Sequence, residues 1–374
     1  MHRMKTVKVL RARAQILRGI REFFWARGFL EVETPVMLAH PSQEPYLEPL
    51  RTTFHDERGR SFDGFLRMSP EFSLKKLIAS VSSLKSQVSS LFEIGPVFRD
   101  GEPWGTTHNP EFTMLEWYRL GATYRDLMED CEALVNKLAQ DVGAALCGRP
   151  RRGRGHSPAP TFLSYQGQSI TLTPPWERLT MREAWKRYAK LDLDHLLGST
   201  KWPTPGVGHF RGACAAMARA CRAKGHTATK EDTFDDLFFK IHLTEVEPKL
   251  GRTQPTFLTD WPSQMAALAR KKSSDPRYAE RVELYIGGLE IANGFSELTD
   301  ADEQLARFRA DQRLRRKLGK SVYPIDKDFI VALRHMPPCA GIALGVDRLV
   351  MLLVDAATID EVRWLPARRL FSSS

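Results

Sequence analysis

Apolar residues recur along the chain at two spacings, and each spacing predicts one type of element. A repeat of three to four residues predicts amphipathic helices, the first of which ends at Gly28. Another helix begins near Glu71, because Pro70 and an acidic residue occupy its first turn. The first helix covers residues 8–27, further helices are predicted at residues 123–142, 302–319 and 345–355, and residues 180–250 are mainly helical.

Alternation of polar and apolar residues predicts the strands, at residues 30–34, 91–99, 110–119, 256–261 and 282–292. Because side chains alternate across a strand, Phe112, Met114, Glu116 and Tyr118 share one face. The carboxylate and the phenol on that face form a pocket for a substrate ammonium group. Arg99, at the end of the preceding strand, is a fixed cation suited to a phosphate or a carboxylate.

The strand pattern at residues 282–292 is interrupted by Gly-Gly, which predicts a hairpin with a two-residue turn. In the register that follows, Tyr285 faces Glu290 and Glu283 faces Ala292. The two carboxylates then become diagonal neighbours on one face of the sheet.

Two acids at that distance repel each other unless a positive charge lies between them. A hard divalent cation such as Mg²⁺, itself held by substrate phosphates, would satisfy Glu283 and Glu290. A solvated hairpin face explains the hairpin alone equally well. Glu297 follows closely as a third acid in an apolar setting, which a solvated face does not need.

Near the C-terminus, residues 341–348 alternate small side chains on a strand and end with Arg348 in the first turn of a helix. Small side chains let a flat ring lie on the strand, and the arginine can reach the end of a triphosphate. Taken alone, such a junction is more often a packing feature than a binding site.

Composition and charge narrow the class of protein. The chain has 374 residues with 42% hydrophobic and 27% charged residues, as in a soluble globular protein, and no apolar run long enough to span a membrane. Its five cysteines form no CxxC pair and fit unpaired thiols in the cytoplasm. The net charge of +10 suggests an acidic partner, either nucleic acid or protein, although basic runs are more often solvated faces.

Three stretches, at residues 28–35, 98–118 and 341–348, together resemble the three signature motifs of class II aminoacyl-tRNA synthetases of the lysine type. The resemblance extends from about residue 8 to about residue 362. Motif 1 corresponds to residues 28–35, motif 2 to 98–118, motif 3 to 341–348, and the lysine signature to 286–298.

Two departures from lysyl-tRNA synthetases point to a subfamily, the elongation factor P β-lysine ligases. Motif 1 begins near residue 28, which leaves no room for an N-terminal anticodon-binding domain. Ala343 stands where lysyl-tRNA synthetases carry glycine in the wall of the amino-acid pocket. The subfamily activates (R)-β-lysine with ATP and transfers it to a lysine ε-amine of elongation factor P.

The resemblance implies an α/β (α+β) fold with a six-to-seven-stranded, mostly antiparallel sheet flanked by helices. Residues 1–374 would form a single catalytic domain without an anticodon-binding domain. Residues 148–160 would be a loop insertion, within a Gly-, Pro- and Arg-rich stretch at 148–175 that argues against packed structure. Motif 1 implies a homodimer.

For the nucleotide, the resemblance implies ATP and Mg²⁺ and assigns five residues. Arg99 would hold the substrate carboxylate and the α-phosphate, and Arg348 the γ-phosphate; these two are the catalytic residues. Phe112 would stack on adenine, His108 would contact the phosphates, and Glu102 would read the adenine amino group. The family has Arg-Asn-Glu here, so this chain carries one extra residue before Glu102.

For the amino acid, the resemblance assigns a second set: Glu71, Asn293, Glu116, Tyr118, Glu297 and Ala343. Glu71 would pair with the amino group near the carboxylate, which Asn293 would also contact. Glu116 and Tyr118, helped by Glu297, would hold the distal ammonium of lysine or β-lysine.

Two other functions fit parts of the sequence. One is a truncated lysine-activating enzyme that charges tRNA or another carrier with α-lysine, which the basic surface permits and the missing anticodon domain disfavours. The other is an inactive paralogue that acts as a binding or regulatory module. The intact Arg99, Glu283, Glu290 and Arg348 argue against an inactive protein.

Overall fold

The computed structural model describes residues 2–83, 90–146, 162–198, 211–266 and 268–371, so the insertion predicted at residues 148–160 lies outside them. The helices are α1 (His2–Trp25), α2 (Glu71–Ser83), α3 (Tyr124–Leu146), α4 (Met181–Ala184), α5 (Leu193–Leu197), α6 (Arg211–Ala223), α7 (Phe234–Ile241), α8 (Ala301–Lys317), α9 (Lys327–Leu333), α10 (Val346–Val354) and α11 (Ala367–Leu370).

The strands of the described residues belong to one large sheet and two small ones. They are β1 (Leu30–Glu31), β2 (Met37–Leu38), β3 (Arg51–His55), β4 (Ser61–Leu66), β5 (Ser90–Phe98), β6 (Glu111–Leu120), β7 (Phe162–Tyr165), β8 (Gln168–Thr171), β9 (Glu177–Thr180), β10 (Thr256–Pro262), β11 (Tyr278–Ile286), β12 (Leu289–Ser296) and β13 (Cys339–Gly345).

The large sheet has eight strands in the order β1-β5-β6-β13-β12-β11-β10-β9. Its two outermost pairs, β1 with β5 and β9 with β10, are parallel, and the five inner pairs are antiparallel. The α/β class and the mostly antiparallel sheet are therefore confirmed. The predicted count of six to seven strands is too low, because the four-residue β9 is too short to show a clear alternation.

One face of the large sheet is covered by α1, α3 and α10, which form the main core with it. Phe24 of α1 lies at the centre of this layer, with its ring 4.8 Å from that of Phe92 and 5.2 Å from that of Trp117. Removing a ring of this kind from a packed core costs about 3–5 kcal/mol. The apolar repeat that predicted the first helix is the surface that it buries.

The other face of the sheet carries α2, α8 and α9 beside β5 and β6. The ring of Phe72 stacks on that of Phe329 at 4.0 Å and lies 5.6 Å from that of Phe308, which ties the three helices together. The region predicted as mainly helical packs at the far end, on β10 and β11, around Trp185 and Phe238. The rest of this face stays open as a cavity.

Residues 162–175 do not lack packed structure, contrary to the prediction for residues 148–175. Strands β7 and β8 pair around Gln166 and Gly167, which have φ angles of 48° and 75°. These left-handed values suit the two-residue turn of a hairpin. Tyr165 and Ile170 are buried against the main core. The hairpin was not predicted because its four-residue strands are too short to show an alternation of polar and apolar residues, and because Gly and Pro are frequent in this stretch.

The hairpin of β11 and β12 turns at Gly287 and Gly288, as predicted, and Tyr285 pairs with Glu290. The second predicted pair is wrong: Glu283 lies opposite Asn293 and not opposite Ala292. The register shifts between residues 284 and 285, where a bulge places one extra residue against its partner strand. A sequence pattern does not reveal a bulge of one residue.

Among the described residues, the structure contains no helix that is long and apolar enough to cross a membrane.

Candidate active site

A cavity of about 1010 Å³ lies on the open face of the large sheet. On β6, Leu115 and Trp117 point into the main core, so Phe112 and Met114 face the cavity instead. Most of the residues singled out from the sequence line its wall: Glu71, Arg99, Glu102, His108, Phe112, Glu290, Asn293, Ala343 and Arg348. The remaining candidates, Glu116, Tyr118, Glu283 and Glu297, are buried behind the wall.

Arg99 follows the end of β5 and points into the cavity. Its guanidinium carbon lies 5.1 Å from the centre of the Phe112 ring, and the nearest carboxylate, that of Glu102, is 3.9 Å away. The Nε atom is buried and has no hydrogen-bond partner within the described part of the chain. Burial lowers the pKa of Arg99. An anionic ligand would supply the partner that this cation lacks.

Arg348 and His108 meet at the same end of the cavity. Nη2 of Arg348 lies 2.8 Å from Nε2 of His108, and Nη1 donates to the backbone oxygen of Glu290 at 2.8 Å. Burial, followed by the charge of Arg348, lowers the pKa of His108. The histidine is therefore neutral and accepts through Nε2, while Nδ1 donates to Thr107, 3.0 Å away.

Asp347 precedes Arg348 in the first turn of α10, and the sequence did not single it out. It is 2% exposed and accepts from the backbone N–H of Thr113 at 2.7 Å and from Arg13 at 2.5 Å. Arg363 donates to it at 3.2 Å. The residue next to Arg348 thus joins α10 to α1 and β6. An acid in the first turn of a helix is the sequence signal that could have indicated it.

The two acids of the hairpin have different surroundings. Glu283 is 3% exposed and its carboxylate accepts from Arg281 at 2.5 Å, Tyr285 at 2.6 Å and Asn293 at 3.3 Å. Burial raises its pKa to about 7. The side chain of Glu290 is 38% exposed in the cavity wall.

Glu290 faces the cavity and its contact with Nη1 of Arg348 is long, at 3.5 Å, so a magnesium site can use it directly. Glu283, in contrast, already accepts from three protein donors. The described residues contain no cluster of three or more His, Cys, Asp or Glu side chains arranged around a metal. Mg²⁺ usually keeps several waters and binds through one or two carboxylates plus substrate phosphates. The donor set fits a metal ion that arrives with the nucleotide.

Glu116 lies beneath the cavity with two hydroxyl partners. Ser69 and Tyr118 each donate to its carboxylate at 2.8 Å. Burial, followed by repulsion from Glu71, raises its pKa to about 8. The shared strand face predicted for Glu116 and Tyr118 is present in the structure.

Lys75 is part of the same cluster, although sequence reasoning missed it. Its Nζ forms ion pairs of 2.5 Å with both Glu71 and Glu297, and the residue is 1% exposed. Even with this partner, burial raises the pKa of Glu297 to about 8. The spacing of four residues between Glu71 and Lys75 on one helix could have indicated the contact.

Ala343 lies between the buried acid Glu116 and the polar side chain of Asn293. In the sheet register it sits opposite Glu116 on β6 and opposite Asn293 on β12. Two residues earlier on the same face, Gly341 makes room for Tyr118 and Glu297, because a Cβ atom there would overlap both side chains. The size of the side chains on β13 therefore controls the depth of this part of the cavity.

The far end of the cavity is acidic. Glu44 and Tyr46 face Asp235 and Asp236 of the helical region there. Burial and the neighbouring Asp236 raise the pKa of Asp235 to about 7, and burial also raises the pKa of Glu44. Arg315 anchors this loop by donating to the backbone oxygens of Glu44 and Leu47 at 2.7 and 3.0 Å.

Besides its acidic far end, the cavity thus has two chemically different sections. Arg99, His108 and Arg348 form a section that can bind a polyanion, and Phe112 offers a ring face beside it. Glu71, Glu116 and Glu297 form a buried section that can bind cations. A ligand with a carboxylate and an ammonium group could reach both sections at once.

Comparisons with known proteins identify the relatives of this chain. The family model described as tRNA synthetases class II (D, K and N) matches residues 1–369. The elongation factor P–(R)-β-lysine ligase of Yersinia enterocolitica is 37% identical over 96% of this chain and 94% of its own length. The corresponding ligase of Vibrio cholerae is 35% identical over 97% of both chains.

The lysine–tRNA ligases match over less of their own length. That of Anaeromyxobacter sp. is 35% identical over 95% of this chain, which spans 64% of the relative. That of Cronobacter sakazakii is 36% identical, and this chain again spans 64% of it. Identity alone therefore does not separate the two kinds of relative.

Proposed function

The chain belongs to the class II tRNA synthetase family, and we propose that it is an ATP-dependent ligase for a lysine-type amino acid. It activates the amino acid, (R)-β-lysine by preference, as an aminoacyl-adenylate and transfers it to a lysine ε-amine of elongation factor P. The observation that carries the proposal is the pairing, in one cavity, of the cationic section around Arg99 with the buried acids around Glu116.

The first half-reaction needs no covalent bond to the protein. A substrate carboxylate oxygen attacks the α-phosphorus of ATP, the new O–P bond forms, and the bond to pyrophosphate breaks. Charge builds on the phosphoryl oxygens as this happens, and Arg99, whose Nε has no partner among the described residues, stabilises that charge. In the second half-reaction, a deprotonated acceptor amine attacks the acyl carbon and AMP leaves.

We assign the remaining nucleotide contacts to residues that line the cavity. Phe112 stacks on adenine, Glu102 accepts from the adenine amino group, and His108 and Arg348 hold the β- and γ-phosphates. Glu290 would hold Mg²⁺ from the cavity wall, and the ion would supply positive charge against the polyphosphate. Glu283 is buried behind this wall and would act on Glu290 through its charge alone.

The amino acid lies between the two sections. Arg99 and Asn293 hold its carboxylate, and Glu71 pairs with the amino group nearest to it. Glu116, Tyr118 and Glu297 hold the distal ammonium, and Ala343 limits the space for it. Because these three side chains are buried behind the cavity wall, the distal ammonium lies at the deepest point of the bound amino acid.

The relatives support a protein acceptor. This chain spans nearly the whole length of the two elongation factor P ligases but about two thirds of the lysine–tRNA ligases. We further propose that residues 1–374 work as one catalytic domain, in a cytoplasmic homodimer that pairs through residues 28–35. The acidic far end of the cavity suits the entry of a cationic lysine side chain.

A second candidate, charging of tRNA with α-lysine, is favoured by the similar identity to lysine–tRNA ligases. The deciding experiment incubates the protein with ATP, Mg²⁺, radiolabelled lysine or β-lysine, elongation factor P and bulk tRNA in one tube. We expect label on the factor, lost when its acceptor lysine is replaced. Label mainly on tRNA would establish the second candidate instead.

Salt dependence provides an independent measurement in the same assay. The net charge of +10 should steer an acidic acceptor, and exposed charges are screened over ~10 Å at 0.1 M salt. Transfer should therefore slow as salt rises, while the first half-reaction changes less, because its contacts lie within the cavity.

A further inference from the structure

Lys75 is a cation built into the section of the cavity that binds cations. Its Nζ is 2.5 Å from Oε1 of Glu71 and 2.5 Å from Oε2 of Glu297, so both carboxylates surround one nitrogen. Glu71 lines the cavity, whereas Glu297 is 2% exposed beneath it. Oε1 of Glu297 is buried and, within the described residues, accepts no hydrogen bond.

The charges of this cluster do not balance without a ligand. Glu71, Glu116 and Glu297 supply three carboxyl groups, and Lys75 supplies one ammonium. Ser69 and Tyr118 add hydroxyl donors to Glu116 but no charge. When all three acids are ionised, two negative charges remain, and an amino acid with two ammonium groups matches that number.

We propose that Lys75 is a specificity-determining residue that sets the charge and spacing of the acid cluster, so that the cavity selects an amino acid with two ammonium groups. The inference rests on the proposed function and adds a residue to it. Lys75 acts through Glu71 and Glu297 and is therefore a positioning residue, not a catalytic one.

The physical reason is the behaviour of acids that share a site. Without the ammonium between them, Glu71 and Glu297 repel each other, and one of them takes up a proton. A neutral carboxyl is a much weaker partner for a substrate ammonium than a carboxylate. An amino acid with one ammonium group would in turn leave a buried carboxylate unpaired, which is costly. With Lys75 in place, the affinity for an amino acid therefore depends on its second ammonium group.

The test uses amino-acid-dependent ATP–pyrophosphate exchange with lysine, β-lysine and norleucine, which lacks the distal ammonium. In Lys75→Met, the KM for lysine should rise roughly 10²-fold, as for a broken buried ion pair, and the preference for lysine over norleucine should shrink. The KM for ATP should stay close to that of the wild type. Lys75→Arg keeps the charge and should retain most of the preference.

The neighbouring Lys76 provides the matched control. Its ammonium donates to Asp326 at 2.8 Å, away from the cavity, so Lys76→Met removes a charge from the same helix without touching the acid cluster. This variant should keep the wild-type KM for lysine and the wild-type preference.

A rescue experiment separates lost charge from lost packing. In Lys75→Ala, methylammonium should restore part of the lysine-dependent exchange, whereas methanol of similar size should not. A folded Lys75→Ala variant that methylammonium does not rescue, or a Lys75→Met variant with unchanged KM and preference, would overturn the inference while leaving the proposed function intact. A wild-type protein without lysine-dependent exchange would overturn the proposed function and this inference with it.

Discussion

Arg348 and His108 lie 2.8 Å apart, with the guanidinium of one donating to the neutral ring of the other. Arg348 comes from the first turn of α10, and His108 comes from the loop between β5 and β6. The contact joins two of the signature motifs across the polyanion-binding section. Because burial and Arg348 lower the pKa of His108, it stays neutral at physiological pH.

The first prediction is that His108→Ala weakens ATP binding and leaves amino-acid binding unchanged. Arg348 loses one of its contacts, and hydrogen bonds to charged groups contribute about 1.5–3 kcal/mol, so the KM for ATP should rise roughly 10- to 100-fold. The KM values from pyrophosphate exchange check this. His55→Ala, on an exposed strand, is the control. An equal rise in the KM for lysine would contradict the assignment.

The second prediction concerns Arg99. In the proposed reaction its guanidinium stabilises charge that develops during attack on phosphorus, so Arg99→Ala should slow exchange by roughly 10²–10³-fold, as for other lost donors of this type. Arg119→Ala is the matched control, since that arginine pairs with Asp130 at 3.2 Å and does not line the cavity. Exchange at the wild-type rate in Arg99→Ala would refute the role.

The element types of the sequence analysis hold because strong periods encode them. The helices α1, α3 and α8 bury the stripes that predicted them, and the Gly-Gly turn is where the pattern placed it. Three local features were not predicted: the bulge beside Tyr285, the short strand β9 and the hairpin of β7 and β8. A bulge of one residue, or a strand of four residues, is too short to produce a recognisable alternation of polar and apolar residues in the sequence.

The residues of the site were predicted from the sequence, but the ion pairs that some of them form within the protein were not. The resemblance assigned Glu71 to the amino group near the carboxylate and Glu116 with Glu297 to the distal ammonium, yet it did not show that Lys75 lies between Glu71 and Glu297. The sequence analysis also treated Glu283 as free, whereas Arg281 holds it at 2.5 Å. The Lys75–Glu297 pair joins distant elements, which one sequence without tertiary contacts does not specify. The Glu71–Lys75 and Arg281–Glu283 pairs are local, so their spacing on one helix and on one strand could have indicated them.

The third prediction tests the buried acid. Glu116→Gln keeps the shape but removes the charge, and losing one partner of a buried pair costs about 3–5 kcal/mol, so lysine affinity should collapse while ATP affinity stays near normal. Calorimetry measures both. Glu129→Gln, on the exposed side of α3, is the control. Equal loss of ATP affinity would make Glu116 a structural residue.

The same group gives a pH dependence with a definite sign. The pKa of Glu116 is raised to about 8, so in the free protein this carboxyl is largely protonated below that pH. Binding of an ammonium needs the ionised form, which means that lysine affinity should increase as pH rises from about 6.5 to 8 and that binding releases protons. Glu116→Gln should lessen this dependence. A wild-type affinity that is flat with pH would contradict it.

The fourth prediction separates the two hairpin acids. Glu290→Gln should raise the Mg²⁺ concentration needed for half-maximal exchange by at least roughly tenfold, since Glu290 is the acid open to the cavity. Glu283→Gln should act mainly on stability, because it leaves Arg281 without its charged partner. Magnesium titrations and thermal unfolding of both variants measure this. The reverse pattern would make Glu283 the metal ligand.

The fifth prediction concerns the choice between α-lysine and β-lysine. Ala343 lies between Glu116 and Asn293 in the register of the sheet, so its methyl group bounds the space between the buried acids and the carboxylate-binding groups. One methyl group in a pocket contributes about 1–3 kcal/mol of discrimination. Ala343→Gly should therefore admit α-lysine and narrow the preference for β-lysine, measured as the ratio of the two activation rates.

Ala340→Gly is the matched control for this change, because Ala340 lies on the same strand but is buried in the main core on the opposite face. Both variants lose a methyl group and gain backbone freedom, so both should lose some thermal stability. Only Ala343→Gly should alter the ratio of α-lysine to β-lysine activation. If the ratio stays unchanged in both variants, selection depends on the position of Arg99 and Glu71 at the other end of the amino acid. In that case, Glu71→Asp should change the ratio instead.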